Sequence, residues 1–219
     1  MADLNKIELT TRWWWVRHAP VVGVNGAIYG DNDVECDITD TISFENLARR
    51  LPSATVCLTS NLSRTKETFQ EICNKGLNAA QAITEADLKE QSFGDWQGAT
   101  WDEMHSKSPK AYNKFWEDPT RNNPPGGESF ADQIKRVGKI IDKYTNKFGG
   151  HDILAVCHGG TIRAAITYTL GLSPETGMAF SINTLSTTQI EHVEGGLLKG
   201  KGGAWRIVSI NTPAKDVVI

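Results

Sequence analysis

The chain has 219 residues, 39% of them apolar, and a formal net charge of −3 at neutral pH. That length and composition suffice for one buried core, so a single domain over residues 1–219 is expected. The slight acidity excludes the broad basic face that a nucleic-acid or anionic-membrane binder needs, so any anionic ligand must meet a local cluster of donors.

The N-terminal stretch MADLNKIELTTR lacks the apolar core of a secretory signal, and no run approaches the roughly 20 apolar residues of a membrane span. A cytoplasmic protein with no membrane or nucleic-acid partner is expected. The first predicted strand covers residues 12–16 and is apolar on both parities after Arg12, as in a strand covered on both faces of a parallel or mixed sheet. Its tryptophans, Trp13 to Trp15, are core candidates, and it ends on Arg17 and His18. A second strand, residues 54–59, leads through a Ser60 or Asn61 cap into a helix striped by Leu62, Thr65, Phe69, Ile72 and Cys73.

The segment DPTRNNPPGGES reads as a loop inside the domain. It leads into a helix from about Ser129 to Lys147, which has capping-box spacing at Ser129 and Asp132 and an apolar stripe at Ile134, Val137, Ile141 and Tyr144. That helix reads as structural, with Gly127 and Glu128 shaping an entrance loop. A third strand, residues 152–157, runs directly into a helix carrying Ile162, Ala165, Ile166, Thr169 and Leu170. Near the C-terminus GAWRIVSIN is a late strand, paired antiparallel with STTQIEHV across the Gly-rich EGGLLKGKGG. Cys36, Cys57, Cys73 and Cys157 show no metal-ligand spacing and read as buried free thiols. His105, His151 and His192 lie in polar or turn contexts and are assigned no chemistry.

In open α/β sheets, ligands gather at the carboxyl ends of the strands, where following helices present free N–H groups and the positive end of their dipole. At those ends the sequence places Arg17 with His18, then Arg64, then His158 with Gly159 and Gly160. One arginine at a strand end is ordinary surface, and one His-Gly-Gly is an ordinary turn. Donors at three separate strand ends point to one oxyanion site, with forked guanidiniums and a glycine pair that admits close backbone approach.

Five segments, taken in order, resemble the histidine phosphatase superfamily, which includes cofactor-dependent phosphoglycerate mutases and alpha-ribazole phosphatase. VRHAP is similar to its Arg-His-Gly signature, and SNLSRTKET to its Ser-x-Leu-x-Arg helix start. LKEQSFGDWQGATWDEM resembles its acidic and Phe-Gly-x-Trp-x-Gly segment, PPGGESF its Pro-Gly-Gly-Glu-Ser loop, and VCHGGTIR its second histidine. The third and fourth look most like the alpha-ribazole phosphatase branch.

The resemblance implies a three-layer α/β/α sandwich with a central, mostly parallel sheet. It also implies phosphomonoester hydrolysis without metal or cofactor, acting on a small phosphorylated metabolite through a phosphohistidine on His18, with alpha-ribazole phosphate as one candidate. His18, Glu90 and His158 would be catalytic, with Glu90 first protonating the leaving alcohol and then activating water. Arg17, Arg64, Gly159 and Asn25 would bind phosphate. Glu85, Asp87 and Asp95 are nearby substitutes for Glu90. The chain departs from the pattern at Ala19, where the family has glycine. Pro20 and Val21 replace polar residues, and Asn25 sits at a shifted offset. The mutases follow their glutamate with arginine, whereas this chain has Gln91 there and only Arg121 between residues 91 and 125. Hydrolysis is therefore favoured over the alternatives, a cofactor-dependent phosphoglycerate mutase or a catalytically silent binding domain. Oligomeric state is not specified by these residues.

Overall fold

A computed structural model describes residues 9–198 and 203–215. Most of the stretch read for a secretory signal, and the centre of the Gly-rich connector, lie outside the described residues. In chain order the elements are β1 (Thr10–Arg17), α1 (Thr41–Arg50), β2 (Val56–Thr59), α2 (Ser63–Asn74), β3 (Ile83–Thr84), α3 (Trp101–Lys107) and α4 (Pro109–Glu117). After these come α5 (Phe130–Lys147), β4 (Asp152–Cys157), α6 (Gly159–Leu170), α7 (Pro174–Gly177), β5 (Thr187–Val193) and β6 (Trp205–Thr212).

The strands form one sheet in the order β3-β2-β4-β1-β5-β6. The first four run parallel, while β5 and β6 are antiparallel additions at one side. This is the expected mostly parallel sheet, and the antiparallel pairing of the two late strands is as read from sequence. One face packs Trp13, Trp15 and Ile153 under α5 and α6, and the other packs Val16, Leu154 and Val156 under α1 and α2. Three layers result. A separate cluster of Ile28, Trp96, Met104 and Phe115 holds α3 and α4 together outside the sheet layers.

The tryptophan run of β1 divides by the period of a strand. Trp13 and Trp15 share one face and stack with ring centroids 4.9 Å apart, and Trp13 Nε1 donates to Thr145 Oγ1 of α5 at 2.9 Å. Trp14, on the opposite face, is only half-buried and donates to Asp152 Oδ1 at 3.0 Å. The cysteines need a correction of the same kind: Cys57 and Cys157 are buried free thiols, but Cys36 and Cys73 are half-buried.

The start of α2 also differs from expectation. Leu62 is its N-cap and supplies no side-chain cap; the Ser63 N–H is instead accepted by Asp33 Oδ1 at 2.7 Å. Of the two expected caps, Ser60 accepts from the Leu62 N–H at 3.2 Å and also reaches the site described below, and Asn61 is exposed. At α5 the expected cap holds, with Ser129 Oγ accepting from the Asp132 N–H at 3.1 Å.

Candidate active site

Parallel pairing of β1 with β4 sets Arg17 opposite Cys157, so His18 and His158 leave the sheet side by side. The His18 N–H continues the ladder by donating to the Cys157 carbonyl at 2.9 Å. The two imidazoles, 140 positions apart in the chain, end with centroids 5.0 Å apart and planes at 60°. Both side chains are fully buried.

His18 Nδ1 lies 2.7 Å from the Ala19 carbonyl oxygen. A carbonyl only accepts, so Nδ1 carries the proton and Nε2 presents a lone pair. That Nε2 is buried and has no hydrogen-bond partner among the described residues. Burial, with the Arg64 and Arg17 cations adding to it, lowers the His18 pKa to about 3 against the opposing pull of the Ala19 hydrogen bond. The ring is neutral at physiological pH.

The tautomer of His158 follows from similar logic. Arg64 Nε, which can only donate, lies 3.3 Å from His158 Nδ1, so the neutral ring carries its proton on Nε2 and donates to Ser60 Oγ at 2.8 Å. Burial, with the neighbouring His18 ring and then the Arg64 cation adding to it, holds His158 well below the usual imidazole range.

Arg64 is completely buried on the first turn of α2. Its guanidinium donates to the carbonyls of Asn32 at 2.7 Å and Gly30 at 2.8 Å and lies over the Tyr29 ring. Arg17 donates through Nη1 to the Ile182 carbonyl at 2.5 Å, and its Nε is buried without a partner among the described residues. A Cβ placed on Gly159 would stand 3.4 Å from that Nε, which puts the Arg17 guanidinium against the N-terminus of α6. Two cations, a helix N-terminus and a bare imidazole nitrogen thus converge at the ends of β1 and β4.

Glu90 is held at the same helix N-terminus. Its Oε2 accepts from the Gly160 N–H at 3.1 Å, and its Oε1 accepts from Gln133 Nε2 at 3.1 Å and the Gln91 N–H at 3.0 Å. The substitutes lie elsewhere: Glu85 is held by Lys143 and Tyr144, and Asp95 sits against the turn at Gly126. The structure therefore groups His18, Arg17, Arg64, His158, Gly159 and Glu90. It leaves Asn25 exposed at a turn with φ 45°, its side chain tied to none of the others.

Ala19 causes no strain. It lacks a positive φ, is fully buried, and donates its N–H to Thr68 Oγ1 at 2.9 Å.

Several supporting residues went unread in the sequence. Ser60 sets the His158 ring. Gln133 and Arg136 come from α5, the helix read as structural; Arg136 donates to the carbonyls of Asp87, Lys89 and Glu90 and pairs with Glu128, clamping the segment that carries Glu90. The only legible sign was their polarity on a helix otherwise striped for burial. Among the described residues, no group of three or more His, Cys, Asp or Glu side chains is placed to hold a metal ion, and no helix is long and apolar enough to cross a membrane.

The chain is thus an α/β domain whose mostly parallel sheet gathers two histidines and two arginines at its carboxyl edge, where open α/β sheets hold their ligands. Residues 13–203 match the family described as histidine phosphatase superfamily (branch 1), and the chain belongs to that family. It is 31% identical to phosphoglycerate mutase-like protein 4 of Arabidopsis thaliana over 63% of this chain and 61% of that protein. It is 35% identical to the metal-independent phosphoserine phosphatase of the same plant over 48% of this chain and 44% of that protein. The matched regions thus span less than two thirds of either relative. Among solved structures, a putative alpha-ribazole-5'-P phosphatase from Escherichia coli superposes with a TM-score of 0.75 at 21% identity, covering 93% of this chain and 98% of that one. That likeness concerns the fold.

Proposed function

We propose that this chain is a phosphomonoesterase that works through a phosphohistidine on His18, without metal or cofactor. The supporting observation is the His18 ring: neutral, held by Ala19 through Nδ1, with its Nε2 lone pair facing a cluster of cations. Nε2 attacks phosphorus, forming the N–P bond as the P–O bond to the alcohol breaks. Glu90 gives the departing oxygen its proton and then takes one from water, whose oxygen attacks phosphorus and frees His18 and inorganic phosphate.

Arg17, Arg64 and the Gly159 N–H hold the phosphoryl oxygens and offset their charge during transfer. His158 can donate to the phosphate from Nδ1 once its tautomer reverses, because the Ser60 hydroxyl serves as donor or acceptor alike and the Arg64 Nε–H can turn from Nδ1 to the phosphate. Asn25 is the least secured member of the donor set, because its side chain is exposed. The substrate is a small phosphorylated metabolite, and a location in the cytoplasm accords with the sequence reading. The solved relative named as an alpha-ribazole-5'-P phosphatase makes that ester one substrate to try.

The test is hydrolysis of p-nitrophenyl phosphate in EDTA by the native chain and by His18→Ala. Turnover that survives the chelator and disappears in the variant supports the proposal, and equal background rates in both sink it. Isomerisation of 3-phosphoglycerate that depends on added 2,3-bisphosphoglycerate would instead establish the mutase alternative.

A further inference from the structure

The space in front of Glu90 does not end at the phosphate cradle. Tyr29, Glu90, Gly160 and Arg163 line a first pocket whose outer wall is Gln91, Phe93, Trp101 and Met178. The same four outer residues also line a second cavity of about 630 Å³, so the two adjoin across them. Phe115 and Trp116 of α4 join Trp101 of α3 as an aromatic wall, with the Trp101 and Trp116 ring centroids 5.4 Å apart, and Pro119, Thr120 and three carboxylates complete the lining. Met178, just past α7, forms the facing wall.

Two of these side chains are exposed well beyond what folding alone favours. Trp116 is 48% and Met178 44% accessible, and both border the same cavity. About 150 Å³ of apolar cavity is enough to hold a benzene ring, so the space admits a ring with room to spare. Its charge argues in the same direction. The rim carries Glu117, Asp118 and Glu175, of which Asp118 and Glu175 pair with one cation, Arg121, leaving a surplus of negative charge. Arg163, the cation of the first pocket, is tied through Nε to the Phe180 carbonyl at 2.7 Å and faces the charge of Glu90. A second phosphate or carboxylate on the substrate would meet a repelling rim, and an uncharged ring would meet aromatic faces and a thioether.

We infer that the second cavity is the leaving-group site, and that the preferred substrates are phosphomonoesters of alcohols bearing an uncharged aromatic or bulky apolar group. This rests on the phosphomonoesterase reading above. Carbon beyond the ester oxygen would leave Glu90, pass between Phe93 and Met178, and lie against Trp101 and Trp116.

The experiment compares ethyl phosphate with 2-phenylethyl phosphate, two primary alkyl esters whose leaving alcohols need protonation alike. Burying the ring is expected to raise kcat/KM for the phenylethyl ester about 30-fold over the ethyl ester. Trp116→Ala and, on the facing wall, Met178→Ala are each expected to reduce that ratio about fivefold or more. Equal efficiencies on both esters by the native chain overturn the cavity assignment and leave the phosphatase reading intact. Ethylphosphonate and 2-phenylethylphosphonate, which are not hydrolysed, are titrated in parallel by calorimetry. If neither ester turns over but the phenylethylphosphonate binds tighter and Trp116→Ala removes the preference, the catalytic reading falls and the cavity's selectivity stands.

Discussion

The Nδ1 atom of His18 lies 2.7 Å from the carbonyl oxygen of Ala19, its own neighbour in the chain. The contact locks the ring in the one neutral form that exposes Nε2, and burial lowers its pKa from 6.5 to about 3. Between those values the unfolded chain holds a proton that the folded protein does not, so stability rises with pH across the window and is lost on acidification. From pH 7 to pH 4.5 this one group is expected to cost about 2–3 kcal/mol. Urea unfolding of the native chain and His18→Asn at both pH values checks it: the drop should be smaller in the variant by about that amount.

Glu90 is proposed to matter most when the leaving group is a poor one. Glu90→Gln should slow 2-phenylethyl phosphate about 100-fold or more, within the usual range for general acid catalysis, and p-nitrophenyl phosphate far less. Equal losses on both substrates would move the role to another group.

Ser60 is a positioning residue through its 2.8 Å contact with His158 Nε2. Ser60→Ala leaves that buried nitrogen without a partner and should cost about 1–3 kcal/mol of stability. Inorganic phosphate inhibition is the readout that a merely structural role would not move, and the inhibition constant should rise about tenfold. An unchanged constant would remove Ser60 from the site.

The two glycines that open α6 should respond oppositely to alanine. At Gly159 the new methyl meets only Arg17 at 3.4 Å, an ordinary contact, so activity should stay within about a few-fold. At Gly160 it falls onto Glu90 Oε1 and within 3.0 Å of Gln133 Oε1, so the carboxylate must shift. Kinetics on alkyl phosphates, with thermal unfolding to show both variants folded, should give a large loss for Gly160→Ala alone.

The sheet and its two histidines were legible because buried apolar runs stop abruptly at polar residues: WWWV before Arg17 and His18, ILAVC before His158. Neighbouring parallel strands then bring the ends together. Ser60 or Asn61 reads only as a helix cap because the sequence shows the N–H groups nearby, which Ser60 does meet at Leu62. Only the fold places His158 within reach of the same hydroxyl. Gln133 and Arg136 were hidden for a related reason. Helical periodicity separates apolar from polar faces, but it does not tell a polar residue facing solvent from one facing Glu90. The cavity beyond Phe93 was unreadable because Trp101, Trp116 and Met178 come from three segments whose meeting depends on how α3 and α4 fold back.

The register that sets Arg17 opposite Cys157 has a consequence for how this site can change over time. Neighbouring strands are spaced by backbone hydrogen bonding at about 4.8 Å, and the imidazole centroids, 5.0 Å apart, inherit that interval almost unaltered. The interval between the two histidines is therefore gauged first by the peptide lattice, within which Ser60 and Arg64 hold the His158 ring. Insertions and substitutions in the crossover segments can remodel what the enzyme accepts while the distance between its two rings stays where the main chain put it.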